Sequence, residues 1–170
     1  MVNLLGLLAA TYLAAVADTA AAPALEVYDV APSFLTLAAI VWAVAAAPSA
    51  WRVVQLGALG LVFDLNSGGH AGVGMAGFAA VAFVIGIWRT PLRRLGVVEQ
   101  AVVSAAVATA LLLFVGAGNW LFGAAVPPLR FVVLHAIGSG VYTAATSLPA
   151  WMILAWLRDA RRMGPAVRGT

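Results

Sequence analysis

Six apolar runs, each near the length of a bilayer-crossing helix, divide this chain and limit what it can fold into. They fall at about 2–21, 31–47, 51–65, 72–88, 98–121 and 130–157. A spanning helix needs roughly 20 mostly apolar residues. Only 9% of the chain is charged against 64% hydrophobic, whereas soluble domains carry roughly 25% charged residues. There is too little charge to solvate a globular surface. The expectation is an all-α integral membrane protein, a six-transmembrane-helix bundle forming one domain over residues 1–170.

The breaks between runs have physical causes. Asn66, Ser67, Gly68 and Gly69 favour reversal over helix continuation and separate the third run from the fourth. Pro48 bounds the second. The stretch 129–157 is too long for one straight span. Either Pro149 kinks it or its first turns lie at the interface.

Arginine placement sets the expected orientation. All nine basic residues are Arg. With the N-terminus in the cytoplasm, Arg52, Arg89, Arg93, Arg94, Arg158, Arg161, Arg162 and Arg168 share the cytoplasmic side. Only Arg130 lies outside, while Glu26 and Asp29 follow the first run on the outer side. That is a positive-inside pattern with both termini cytoplasmic. A net charge of +3 spread between apolar runs is not a nucleic-acid patch; its partner is the lipid bilayer and its anionic headgroups. No basic residue precedes the first run, so it is expected to be a retained span rather than a signal peptide. Trp42, Trp51, Trp88, Trp120, Trp151 and Trp156 fall near run ends, as an interfacial aromatic belt would.

With no cysteine, disulfides and thiolate-bound metals are excluded. The two histidines, His70 and His135, lack the further ligands a metal needs. Neither metal nor cofactor is expected. His135 and Ser139 are four apart on one helix face, but no third group is evident to orient them as a catalytic pair. Packing against a neighbouring helix suits Ser139 better. Gly72, Gly74 and Gly77 fit G-x-G-x-x-G by spacing, yet no strand or βαβ unit precedes them.

Asp64 is the residue of greatest interest. It ends an apolar, glycine-containing run and is followed by Asn66, Ser67 and His70. A carboxylate there must face a partner, a cavity or an interface rather than lipid. Two readings stand: a polar pocket or docking surface, or a helix-ending turn in which Asp64 caps the fourth helix. Gly57 and Gly60 lie three apart on one face, suited to close packing within the bundle or against a partner.

The passage with Gly57, Gly60, Asp64, Leu65, Asn66, Ser67, Gly68 and Gly72 resembles the signature of MreD, the rod shape-determining membrane protein family of bacteria. That family shows a helix ending in Gly–x–x–x–Asp–Leu–x–Ser–Gly, and the Arg-rich end after Pro149, Ala150 and Trp151 is also similar to it. The resemblance implies a fold like the substrate-binding S-components of energy-coupling-factor transporters. It implies a non-enzymatic scaffold in the inner membrane that binds MreC. Through MreC it would connect to MreB, RodA and a class B penicillin-binding protein. The alternative is a small-molecule binding subunit of a transporter, with a cavity bounded by Asp64, Asn66 and His70.

Overall fold

The computed structural model describes residues 2–26, 30–45, 49–123 and 127–163. Asp29, Arg168 and the side chains of Arg158, Arg161 and Arg162 lie outside the described residues. The chain is all-α. Its helices are α1 (Val2–Val16), α2 (Phe34–Ala45), α3 (Ala50–Ser67), α4 (Val73–Leu92), α5 (Val97–Leu121) and α6 (Leu129–Met163). A π-helical turn, Ala17–Ala21, and a short 3-10 turn, Pro23–Leu25, follow α1.

Among the described residues, three stretches are long and apolar enough to cross a membrane: Val73–Leu92, Val97–Leu121 and Leu129–Leu157. The other three helices differ from the expected runs for physical reasons. Helix α2 has only 12 residues, about 18 Å at 1.5 Å per residue. It packs against all five other helices, with Leu35, Thr36, Leu37, Ala39, Ile40, Ala43 and Val44 buried. A helix enclosed by protein need not match the bilayer thickness. Helix α3 carries Arg52 and Asp64, and both are buried rather than lipid-facing.

Helix α6 runs unbroken through Pro149 for 35 residues, about 50 Å and well beyond the roughly 30 Å hydrocarbon core. Proline removes a backbone donor. Around it, Thr146 Oγ1 donates to the Tyr142 and Thr143 carbonyls, and Ser147 Oγ donates to Ala144. These hydroxyls keep polar groups satisfied in an apolar surrounding.

A polar seam joins α6 to the rest. Ser139, Thr143 and Ser147 recur every fourth residue and are all buried. Ser139 donates to the Ala31 carbonyl at 2.7 Å, and the Ser33 amide donates to Thr143 Oγ1 at 3.2 Å. Further along, Trp151 Nε1 donates to Ser104 Oγ, which in turn donates to Gln100 O. Small hydroxyls of this kind hold helices together where no hydrophobic drive between helices exists.

Trp151 therefore departs from the expected aromatic belt. It is 1% exposed, because its indole N–H finds Ser104 on α5 and its ring fills the core. Trp51, Trp88, Trp120 and Trp156 remain exposed as the belt requires.

Candidate functional site: the Asp64 turn

Helices α3 and α4 form a tight hairpin whose reversal depends on glycine. Gly68 ends α3 at φ 65°, and Gly72 precedes α4 at φ 104°. Both lie in the left-handed region, where a side chain is strained. The crossing beneath the turn is closer still. A Cβ added to Gly60 would sit 2.7 Å from Gly74 C and 2.8 Å from Met75 Cα. A Cβ on Gly74 would meet Gly60 O and Asp64 Cγ, each at 2.9 Å. The two backbones touch.

Asp64 closes this lock. Its Oδ1 accepts from the Gly74 amide at 2.7 Å, and its Oδ2 accepts from Gly72 at 2.8 Å and Met75 at 3.3 Å. The side chain is 2% exposed. The first amides of a helix have no partner inside it, and the helix dipole favours a negative charge there. Asp64 supplies both needs across the helix boundary. Gly74 makes room for it, having no side chain to block the carboxylate.

The expected residues thus fall into two groups. Gly60, Asp64 and Gly74 form a buried lock. Asn66, Ser67, Gly68 and His70 are exposed around the turn. Gly57 lies outside the lock: a Cβ there meets Met75 Cγ at 3.7 Å and Ala79 Cβ at 3.8 Å, ordinary contact. The G-x-G-x-x-G spacing opens α4, and the amides of its first two glycines, Gly72 and Gly74, are taken by Asp64. Both Asp64 oxygens are spent on α4, so the carboxylate offers no open edge to a cavity shared with Asn66 and His70.

The turn is also tied to α5. Asn119 Oδ1 accepts from the His70 amide at 2.9 Å, and the His70 ring lies 6.0 Å from that of Phe122. Beside it, a cavity of about 540 Å³ is lined mainly by α5 and α6, with Ser67, Asn119 and His135 as its polar members. His135 opens onto this cavity, whereas Ser139 is buried and donates to Ala31. The Ser139 proton is directed to the Ala31 carbonyl rather than to His135.

A second acid repeats the logic of Asp64. Asp18 Oδ1 accepts from the Phe34 amide at 2.6 Å and Oδ2 from Leu35 at 3.1 Å, capping α2. Sequence reasoning missed it, because it sits inside the first apolar run and its helix begins sixteen residues later. The usable signal was an acid with no lipid-compatible role in that run.

At the opposite end of α3 and α4, three of the expected cytoplasmic arginines converge. Arg52 Nη1 donates to the Ala43 carbonyl. Arg89 donates from Nε to Val44 O at 3.2 Å and from Nη2 to Ala45 O at 3.3 Å. Arg93 donates to the same two carbonyls. They cap the C-terminus of α2, where cations are favoured. Arg94 is exposed nearby in sequence.

No protein-family profile, characterised protein or solved structure matches the chain.

Proposed function

We propose that this chain is an MreD-like, non-enzymatic scaffold of the bacterial cell-wall elongation machinery. In this reading it forms a six-span bundle, similar in architecture to the S-components of energy-coupling-factor transporters. It lies in the cytoplasmic membrane with both termini inside. It binds MreC, and through MreC it is coupled to MreB, RodA and a class B penicillin-binding protein.

The observation that supports this reading most is the coincidence of the signature with the lock. Gly60, Asp64, Gly68 and Gly72, which carry the resemblance, are positions where this fold has little freedom. The buried members shape the turn, and the exposed Asn66, Ser67 and His70 are free to meet a partner. Basic groups at one end and the turn at the other fit the positive-inside orientation.

Substituting Asn66 and Ser67 together tests the docking role while leaving the Asp64 carboxylate bonds in place; it removes only the 3.3 Å bond from Ser67 Oγ to the Asp64 carbonyl. The reading expects full folding and reduced recovery of MreC on co-purification. Undiminished recovery removes the turn from the interface.

The cavity beside the turn favours a second reading, a small-molecule binding subunit. Its volume of about 540 Å³ falls within the roughly 300–1,000 Å³ typical of ligand sites. A stoichiometric small molecule released from the purified, denatured chain would favour that reading over the scaffold.

A further inference from the structure

The arginine cap on α2 holds more positive charge than capping requires. A helix C-terminus carries about half a negative charge, so one guanidinium suffices. Here Val44 O and Ala45 O each accept from both Arg89 and Arg93. Using the same Nε and Nη2 edge on the same carbonyls brings two like charges, four residues apart, side by side. Such pairs repel. Arg52, 3% exposed, lies close enough to repel both. Among the described residues, Arg89 forms no ion pair and its Nη1 has no hydrogen-bond partner.

We propose that this clamp binds the phosphodiester of an anionic membrane lipid. A phosphate oxygen facing the open edge of Arg89 would offset the repulsion and take charge-assisted hydrogen bonds in a fork that guanidinium suits. The depth argues for a lipid rather than a soluble anion. Trp51 and Trp88, next to Arg52 and Arg89 in sequence, are 60% and 61% exposed, and such tryptophans sit at headgroup level. Phe83, Val84 and Ile87, within two turns before Arg89 on α4, are exposed and apolar, as a surface for acyl chains would be. The inference rests on the membrane reading but not on MreC.

Native mass spectrometry of the full chain in neutral detergent, titrated with phosphatidylglycerol or phosphatidylcholine, tests it. One phosphatidylglycerol should bind in preference to phosphatidylcholine. Arg89→Gln should weaken it about tenfold, the effect of one lost charge-assisted bond. Arg93 still reaches both carbonyls in that variant, so the helix end remains capped. Arg94→Gln, removing an equal charge whose side chain makes none of these bonds, should bind as wild type. Arg89→Lys, a second variant that keeps charge and loses the fork, should bind between wild type and Arg89→Gln; wild-type binding by it rules out the fork geometry. Equal losses in the Arg89→Gln and Arg94→Gln variants would mean diffuse attraction and overturn the site. Displacement of the lipid by millimolar inorganic phosphate would overturn the choice of a lipid. MreC recovery should be unchanged in every variant, which keeps this test separate from the scaffold reading.

Discussion

Asp64 is a buried carboxyl group held by three backbone amides. Asp64→Asn keeps the shape but replaces one acceptor oxygen with a donor facing those amides. Hydrogen bonds to charged groups contribute about 1.5–3 kcal/mol each, and partial relaxation puts the expected loss at about 3 kcal/mol. Thermal unfolding in detergent should show a clearly lowered midpoint; an unchanged midpoint would mean that the cap contributes nothing. Trp151→Phe makes a smaller change. It removes the donor to Ser104 and part of a buried ring, at about 1–2 kcal/mol. Trp88→Phe, on the exposed side, should leave the same unfolding midpoint within error.

Between elements, the α3–α4 crossing separates two glycines that sequence alone treats as equivalent. Gly57 and Gly60 share a helix face and a spacing. A Cβ on Gly60 would come within 2.8 Å of backbone across the crossing, whereas one on Gly57 would meet its nearest backbone atom, Met75 O, at an ordinary 3.8 Å. Gly60→Ala should force the helices apart at about 1–3 kcal/mol, while Gly57→Ala should be tolerated. Parallel unfolding curves for the two variants decide it, and equal destabilisation would contradict the described crossing. The turn itself was legible because residues 66–69 combine known reversal formers. Asp18 was not legible. Its partners are sixteen and seventeen residues away, across segments with no periodic signal. Nor was the arginine cap, because charge placement along a sequence reports a side of the membrane and not which carbonyls a guanidinium reaches. Trp151 looked like its exposed counterparts because a helix end and an interface share the same sequence position until packing distinguishes them.

At the ends of α2 and the start of α4, fixed charge follows the helix dipoles. Asp18 and Asp64 sit at the starts of α2 and α4, and Arg52, Arg89 and Arg93 sit at the end of α2. The proposed six-span orientation would place the acids near the outer face and the arginines near the cytoplasm. The absence of native cysteine makes this straightforward to check. Single cysteines at His70 and Arg94 should label from opposite sides of the membrane with an impermeant reagent; same-side labelling would refute the orientation. The scaffold reading is tested most directly by co-expressing the full chain with MreC and purifying through a tag on this chain alone. The account predicts that MreC co-purifies in near-stoichiometric amount with the wild type, and that the yield falls when Asn66 and Ser67 are replaced in a chain that melts normally. Failure to recover MreC with the folded wild-type chain would contradict it.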